Sequence, residues 1–362
     1  MTSLMSALPV EKDVSYELFG AEQDRYTFNG EREYPFASVN IPDAVMLERL
    51  WHHFKVNSFG KKQGYDLILY PAAARVLPTS FKVKGVAVVN DVVSHILHYT
   101  KDEWYRKCIK RGLSRANCII ASSEYIRSNL ENIGISPRRI EVIHNGVDHS
   151  CFYPGESISA DSEIIDIKPF AIKKPYIIYA SRMQNAEKKH LELIEAFARF
   201  KKRTNLPHRL VLAGNIEPKN AKKSENSDEY SDKVHTAVLG SGVASDIFIT
   251  GYFPHEHFPE LYRNADACVF PSIAEGVGLP VLESMACGLP VACSSQGALR
   301  EIAGDAALFF DSNNIEEIEQ ALERIVGDGE LRKTLLEKGI KQAKQYSWQQ
   351  TALATASLLK SL

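Results

Sequence analysis

Short apolar runs, rich in β-branched and aromatic residues, recur along the whole chain and are separated by stretches with helical spacing. Parallel strands joined by crossover helices produce this pattern. The candidate strands of the first half are Tyr16–Phe19, Asp66–Tyr70, Gly85–Asn90, Asn117–Ala121 and Glu141–His144. Those of the second half are Tyr176–Ala180, Arg209–Ala213, Ile247–Thr250, Ala267–Phe270, Val291–Ser294 and Ala307–Phe310. The sequence therefore predicts an α/β protein with two parallel sheets.

The chain has 362 residues, more than the roughly 100–200 residues of one ordinary domain. Between the two sets of strands, Pro154–Lys174 has the polar composition of a linker. We expect an N-terminal domain over residues 1–165, a C-terminal domain over 166–346, and a last helix over 347–362 that packs back toward the N-terminal domain. A second polar stretch, Lys219–Asp232, is predicted to be a surface loop that leads into a helix.

Composition narrows the class of protein further. Apolar residues make up 44% and charged residues 24% of the chain, as in globular proteins. The formal net charge is -2, so nucleic acid is not an expected partner, and any polyanion or membrane would have to be bound by a local patch. The six cysteines show neither C-x-x-C pairs nor zinc-ligand spacing, and no apolar run spans a bilayer. We expect reduced thiols and a cytoplasmic location.

The segment from Phe270 to Cys293 is the richest in chemical signals. A strand ends at Phe270, a loop with Gly276 and Gly278 follows, and Pro280 stands in the predicted first turn of a helix. Glycine lets backbone amides approach a ligand closely, and a helix N-terminus presents unpaired N–H groups with a partial positive charge. The segment predicts a phosphate-binding site.

Two glutamates flank this site. Glu275 lies in the loop and Glu283 in the predicted first helical turn, so both carboxylates can face one pocket. Ribose and hexose each present a vicinal pair of hydroxyls that a carboxylate can accept from. Taken alone, the pair also fits solvated acids at a helix start, which the helix dipole favours.

Two cations lie upstream. The strand Tyr176–Ala180 delivers Arg182 at its carboxyl end, and Lys188 opens an amphipathic helix whose apolar face carries Leu191, Ile194 and Phe197. In open α/β sheets ligands bind at the carboxyl ends of strands, so both cations can reach the crevice of the glycine loop. There they can neutralise a diphosphate.

These motifs make the chain resemble a family 4 retaining glycosyltransferase with the GT-B fold. The resemblance rests on Glu275-x7-Glu283, on Arg182 and Lys188, and on four shorter segments spread over residues 60–362. Those segments are Ala121–Glu124, Asn145–Asp148, Thr250–Tyr252 and Tyr346–Trp348. The resemblance implies two Rossmann-like domains whose parallel sheets face each other across a cleft.

The resemblance also implies residue roles. Arg182 and Lys188 would hold the leaving diphosphate, Glu283 the ribose and Glu275 the transferred sugar. Further donor contacts are expected from two short segments, consisting of Gly276, Val277, Gly278 and Leu279 beside the sugar and phosphate, and Gly251, Tyr252 and Phe253 beside the base. Together with Glu275, Arg182 and Lys188, Asn90 completes the predicted catalytic set, and Asp91 and His95 lie on the acceptor side.

The implied reaction transfers a hexose from GDP-mannose or a UDP-hexose to a glycan or lipid-linked acceptor in cell-surface polysaccharide biosynthesis, with retention of the anomeric configuration. Because fixed cations can stabilise the departing diphosphate, we expect neither a metal nor another cofactor. The acidic triplet Asp161–Ser162–Glu163 lies in the polar linker and is interpreted as solvated.

Two departures from the family pattern leave an alternative open. Met1–Val10 leads almost directly into what resembles the family's second strand, so the first strand and its glycine-rich turn are expected to be missing. The exposed sheet edge would make the N-terminal domain less stable or leave it covered by another chain. Asn90 stands where the family often has a histidine, and it cannot titrate near neutrality. The alternative is a catalytically impaired member that binds a nucleotide-sugar or a partner.

One basic segment belongs to none of these motifs. In Lys101–Arg115, basic residues alternate with Trp104, Tyr105 and Ile109. A basic helix with aromatic residues can lie on an anionic membrane surface, here the inner face of the plasma membrane. An ordinary solvated helix is the other interpretation of this pattern.

Overall fold

A computed structural model describes residues 2–25, 33–41, 44–73, 75–155, 163–167, 170–214 and 225–362. The chain divides into two compact units. Unit 1 comprises residues 1–146 and 346–362, and unit 2 comprises residues 147–345. Asp161 and Ser162 of the acidic triplet, and residues 219–224 of the predicted loop, lie outside the described residues.

Unit 1 is built around a four-stranded parallel sheet. Its elements before residue 146 are α1 (Thr2–Ala7), β1 (Leu18–Gly20), β2 (Phe36–Ser38), α2 (Val45–Phe54), α3 (Val56–Gln63), β3 (Leu67–Tyr70), β4 (Lys84–Val89), α4 (Val93–Tyr99), α5 (Glu103–Arg115), β5 (Cys118–Ala121), α6 (Glu124–Asn132) and β6 (Ile140–Val142). The sheet order is β3-β4-β5-β6, and every pair is parallel. The predicted strands 66–70, 85–90, 117–121 and 141–144 correspond to these four.

The predicted strand Tyr16–Phe19 does not join this sheet. It overlaps β1, which pairs in parallel with β2 in a separate two-stranded sheet. The Phe19 ring packs against the rings of Phe59 and Tyr65, with centroids 5.3 and 6.2 Å away. This aromatic packing gives the short strand an apolar environment outside the main sheet.

Unit 2 contains a six-stranded parallel sheet. Its elements are β7 (Ile164–Ile167), β8 (Phe170–Lys173), β9 (Tyr176–Ala180), α7 (His190–Thr204), β10 (Arg209–Ala213), α8 (Glu225–Gly240), β11 (Ile247–Gly251), α9 (Phe258–Arg263), β12 (Ala267–Phe270), α10 (Leu279–Ala286), β13 (Val291–Ser294), α11 (Leu299–Ala303), β14 (Ala307–Phe310), α12 (Ile315–Gly327) and α13 (Gly329–Ala343). The strand order is β11-β10-β9-β12-β13-β14. All six strands of the second half are where the sequence predicts them.

This order contains a topological switch point. From β9 the chain adds β10 and β11 on one side, and then returns to add β12, β13 and β14 on the other. The loops after β9 and β12 therefore leave the sheet in opposite directions and open a crevice at the carboxyl ends of these strands. Arg182 follows β9 and Glu275 follows β12, so the topology brings both predicted segments to this crevice.

The predicted linker contains regular structure. Ile164–Ile167 and Phe170–Lys173 form an antiparallel pair, β7–β8, in which Ile165 and Ile172 are buried. The ring of Phe170 packs 5.4 Å from that of Phe253. The compact units divide after Gly146, upstream of residue 165, because residues 147–155 pack within unit 2. Phe152 is buried, and Arg263 donates to the carbonyl oxygen of Tyr153 at 3.1 Å.

The prediction of a loop over Lys219–Asp232 is wrong for its second part, where helix α8 begins. The helix begins at Glu225, so residues 225–232 are helical rather than looped. Its buried apolar residues, among those whose side chains are described, are Tyr230, Val234 and Val238, which recur every four residues on one face. The charged residues between them hide this periodicity in the sequence.

The last helix, α14 (Trp348–Ser361), belongs to unit 1. Ser347 caps it by accepting from the amide of Gln350 at 3.2 Å. Leu358 packs on Val86 and Ile120 of the sheet. Ala352 and Ala356 also pack in a cluster with Leu4 and Met5 of α1 and with Leu8, the residue after that helix.

A glycine is required where the chain passes this helix. A Cβ on Gly146 would lie 2.1 Å from the backbone nitrogen of Trp348 and 2.2 Å from the carbonyl carbon of Ser347.

No described helix is long and apolar enough to cross a membrane. All six cysteines are free thiols.

Candidate functional site

The loop after β9 carries the two predicted cations. Arg182 is exposed two residues beyond the strand. Lys188 ends a 3-10 turn, Ala186–Lys188, and helix α7 begins at His190, so Lys188 precedes this helix instead of opening it. The buried Tyr179 hydroxyl donates to the carbonyl oxygen of Lys188 at 2.7 Å. The central strand thus fixes the backbone from which the lysine projects.

An aromatic cluster of Tyr179, His190 and Tyr230 packs next to this turn. The His190 ring lies 4.8 Å from the Tyr179 ring, and the His190 amide donates to the Tyr230 hydroxyl at 3.2 Å. Burial, reinforced by the positive charge of Lys188, lowers the pKa of His190 to about 3. The imidazole is therefore neutral at physiological pH and acts in this cluster as a packing group.

Backbone hydrogen bonds join the loops after β9, β12 and β13. The Ile273 amide donates to the Glu187 carbonyl at 2.9 Å, and the Ala298 amide donates to the Glu275 carbonyl at 2.9 Å. Gly297 has φ +67°, and a Cβ there would lie 3.1 Å from the backbone nitrogen and oxygen of Glu275. These hydrogen bonds hold the three loops together. A side chain at Gly297 would crowd the backbone of Glu275.

Lys188 and Glu275 contact each other through Nζ and Oε1. Their side chains are 19% and 14% exposed, so this is a largely enclosed ion pair. The family resemblance implied that they contact different parts of a donor, and the structure brings both to the same end of the sheet. A phosphate that bound Lys188 would have to share its ammonium group with Glu275.

Helix α10 begins four residues after Glu275. Gly278 precedes its first residue with φ +69°, a conformation that L side chains rarely adopt, and Pro280 stands in the first turn, as predicted. In the first turn, Pro280 has no N–H, and the amides of Val281 and Leu282 donate to the carbonyl oxygen of Gly278 at 3.1 and 3.3 Å. What the start of α10 offers an anion is therefore the positive end of its helix dipole. Glu283 lies in the second turn rather than the first, because α10 starts only at Leu279.

Glu283 has a partner that the sequence does not reveal. Its Oε1 lies 3.2 Å from Nε2 of His255, in a 3-10 turn just after β11. The hydrogen bond to Glu283 raises the pKa of His255, and the carboxylates of Glu256 and Asp148 act in the same direction. The only signal for His255 in the sequence was its position five residues after the end of the predicted strand Ile247–Thr250.

The segment Gly251–Phe253 presents unequal side chains. Gly251 has φ +70°, and Tyr252 is 69% exposed. Phe253 is buried, with its ring 5.1 Å from that of Phe258. The ring of Tyr252 and the backbone are therefore the parts of this segment that a base could contact.

The three predicted residues of unit 1 follow β4. Asn90 comes directly after the strand, and its Oδ1 accepts from Nδ2 of Asn145 at 3.3 Å. Asp91 is exposed, and His95 is half-buried in the first turn of α4. All three lie at the carboxyl end of the unit 1 sheet.

Among the buried polar atoms of unit 2, one that lies three residues before Lys188 and one that lies two residues after β12 are of interest for ligand binding. Asn185 Oδ1 and Ser272 Oγ have no hydrogen-bond partner among the residues that the structure describes. Buried polar groups normally have partners, so such atoms are typical of a place where a polar ligand binds.

The His255–Glu283 contact predicts a pH effect. His255 gains a partner on folding, so its stabilising contribution is present below its ordinary pKa of about 6.5 and is lost as pH rises through the raised value. Because the imidazole is largely exposed, we expect less than about 1 kcal/mol. An NMR titration should find the raised pKa, and Glu283→Gln should return it toward the ordinary value. An unchanged pKa in that variant would contradict the pairing.

Comparisons with known proteins agree with this geometry. A family model described as glycosyl transferases group 1 matches residues 161–342, and one described as Glycosyltransferase Family 4 matches residues 12–150. The O-antigen chain mannosyltransferase B of Escherichia coli is 32% identical over 268 residues, which cover 73% of this chain and 66% of that protein. The D-inositol 3-phosphate glycosyltransferase of Kribbella flavida is 28% identical over 231 residues, covering 63% and 52%. The matched region thus spans about two thirds or less of these relatives.

Solved structures share the fold. A sucrose-phosphate synthase from Thermosynechococcus elongatus superposes with a TM-score of 0.75 at 20% identity, covering 99% of this chain and 90% of that one. The HepE protein of Anabaena, in complex with UDP and glucose, gives 0.69 at 18% identity, covering 91% and 86%. These likenesses confirm the predicted GT-B fold with two Rossmann-like α/β units. Because the group 1 model matches half of the chain, including the loops after β9, β11, β12 and β13, this chain belongs to the glycosyl transferases group 1 family.

Proposed function

We propose that this chain is a retaining, metal-independent hexosyltransferase. It transfers a hexose from a nucleotide-diphosphate sugar held by unit 2 to a glycan or lipid-linked acceptor in cell-surface polysaccharide biosynthesis, on the cytoplasmic side of the membrane. The observation that carries the proposal is the meeting of Lys188, Glu275 and the start of α10 at the switch point of the six-stranded sheet. The two partnerless polar atoms, Asn185 Oδ1 and Ser272 Oγ, support a polar ligand there.

The leaving diphosphate is the charge that this site must stabilise. As the bond to the anomeric carbon breaks, negative charge grows on the phosphate oxygens. Arg182 and Lys188 supply positive charge, and the start of α10 after Gly278 adds the positive end of the helix dipole. These groups take the place that a divalent metal would otherwise fill.

The two glutamates hold hydroxyl groups. Glu275 lies next to Lys188 and binds the transferred sugar, whereas Glu283 binds the ribose. A carboxylate has about four lone-pair sites, so Glu275 can keep its contact with Lys188 and still accept from a hydroxyl. The same capacity lets Glu283 accept from both His255 and a ribose hydroxyl.

When transfer takes place in a single displacement, retention requires the acceptor to attack from the side that the diphosphate leaves. In this scheme the acceptor hydroxyl bonds to the anomeric carbon, the carbon–oxygen bond to the diphosphate breaks, and a phosphate oxygen takes the hydroxyl proton. Asn90 orients the sugar by hydrogen bonding and transfers no proton, because an amide does not titrate near neutrality. Asp91 and His95 contact the acceptor.

The names of relatives favour mannose as the transferred sugar. Two Escherichia coli relatives are named as mannosyltransferases, the second being the serotype-specific mannosyltransferase WbdA at 26% identity over 277 residues. GDP-mannose is therefore the first donor to test. A UDP-hexose is the second, because HepE was solved with UDP-glucose.

A panel of nucleotide-sugars tests the proposal. One donor should raise the melting temperature in a concentration-dependent way, since a ligand stabilises the state that binds it. The same donor should be hydrolysed slowly or transferred, and Glu275→Ala should abolish this turnover. Stabilisation without turnover in the unaltered protein would instead indicate the impaired member that Asn90 suggests. If no nucleotide-sugar raised the melting temperature, the proposal would fail.

A further inference from the structure

Exposed apolar side chains of unit 1 are concentrated in one region. Among its described residues, the large hydrophobic side chains that are exposed are Val10, Met46, Leu47, Phe54, Tyr99, Trp104 and Leu353. Five of these seven belong to α2, to the end of α4 or to the start of α5. Met46 is 70%, Phe54 62% and Trp104 52% exposed. Such a concentration marks an interaction surface, because single exposed apolar residues are normally scattered.

Helices α2 and α5 form one surface. The His53 ring of α2 lies 5.7 Å from the Trp104 ring of α5 and 4.5 Å from the Phe54 ring. One turn earlier in α2, the Arg49 guanidinium lies 4.0 Å from the centre of the Tyr105 ring. These contacts hold Phe54 and Trp104 close together, and we call this surface the α2–α5 face.

Positive charge surrounds the apolar groups. Helical spacing places Lys107 and Arg111 on the same side of α5 as Trp104, while Ile109 and Leu113 are buried on the other side. The segment Lys101–Arg115 contains six basic and two acidic residues, a net charge of +4, in a chain of net charge -2. Only one of the acids, Glu103, pairs within α5 among the described contacts, with Lys107 at 2.9 Å.

We propose that the α2–α5 face docks this protein on an anionic lipid bilayer, with Phe54, Trp104 and Met46 entering the interface and the basic side chains of α5 lying over the headgroups. Apolar side chains gain by leaving water, and each basic residue gains near an anionic surface. A second copy of this chain would bring two positive faces together. Nucleic acid could neutralise the positive charge, but it would leave Met46, Leu47 and Phe54 without an apolar partner. The bilayer matches both properties of the face.

Sedimentation with vesicles tests this docking without donor or acceptor, so its result is independent of the proposed transfer reaction. The protein should sediment with vesicles of phosphatidylcholine and phosphatidylglycerol in equal parts, and not with phosphatidylcholine alone. Lys107→Glu with Arg111→Glu should weaken the partitioning at least about tenfold. Phe54→Ser with Trp104→Ser should weaken it by about tenfold or more, because two large apolar groups no longer leave water.

Matched controls use exposed residues elsewhere. Lys202→Glu with Lys344→Glu makes the same charge change in unit 2, and Leu353→Ser removes an exposed apolar group of α14. Both should bind vesicles as the unaltered protein does, and thermal melts should show that every variant folds. Equal binding by the α2–α5 variants and the controls would overturn the proposal. So would equal binding to neutral vesicles, or a dimer in solution that the Phe54 and Trp104 changes dissociate.

Discussion

Replacing Lys188 with alanine is expected to lower kcat/KM for the donor by about a hundredfold to a thousandfold, the usual cost of removing one group that stabilises transition-state charge. The side chain is 19% exposed and pairs with Glu275, so solvent screens its charge only weakly. Steady-state kinetics with the donor found in the panel would measure the loss. Lys202→Ala, an exposed lysine of α7, is the matched control and should keep full activity.

The same substitution leaves Glu275 without its cation. Because the Glu275 side chain is only 14% exposed, Lys188→Ala should also lower the melting temperature, and adding Glu275→Gln should restore part of it. Activity should not return in the double variant, because it lacks both the cation that holds the diphosphate and the carboxylate that holds the sugar. A Lys188→Ala protein that folded normally and kept its kcat/KM would remove Lys188 from the mechanism.

Replacing Gly214 with alanine is expected to destabilise the protein by roughly 1–3 kcal/mol, the range of overpacked sites. A Cβ there would lie 2.0 Å from the carbonyl oxygen of Ser181 and 3.1 Å from the amide nitrogen of Arg182. The strand β10 or the turn that carries Arg182 must therefore move. Donor affinity should fall together with stability, because the cations depend on this turn.

Gly240→Ala provides the matched control. Gly240 is the last residue of α8, and nothing lies within 4 Å of a Cβ built on it. Alanine should be neutral there or stabilise the helix by up to about 1 kcal/mol. Denaturant unfolding gives both free energies, and calorimetric titration gives the donor affinity. If the Gly214→Ala protein were as stable as the control, the close approach of Gly214 to the backbone of Ser181 and Arg182 would be wrong.

The sheet of unit 2 could be predicted closely from the sequence. Strands buried on both faces read as unbroken apolar runs, and Tyr176–Ala180 and Val291–Ser294 are short runs of this kind bounded by polar or turn residues. The cations and the glycine loop could be placed as well, because each follows such a run. Which loops meet then follows from parallel topology.

Other features depend on contacts that no local pattern shows. The pair β7–β8 alternates buried and exposed residues, yet it is only four residues per strand and lies in a polar stretch. The pairing of Glu283 with His255 joins residues 28 positions apart, and it arises only when β11 and β12 have been placed in one sheet. Tyr179, which holds the turn of Lys188, reads in the sequence as an ordinary strand residue.

The α2–α5 face could be predicted from the sequence only in part. The basic spacing of α5 was visible in the sequence, whereas the exposure of Phe54 and Met46 was not. An amphipathic helix such as α2 normally buries its apolar side against its own domain. Here several of its apolar residues are exposed, which only the structure could reveal.

A crystal structure with a bound nucleoside diphosphate, GDP or UDP according to the donor found, tests the central claim most directly. The terminal phosphate should lie within hydrogen-bonding distance of Lys188 Nζ and the Arg182 guanidinium, near the N-terminal end of α10. The ribose should contact Glu283. A diphosphate bound at another edge of the sheet, or on the basic face of α5, would contradict the account.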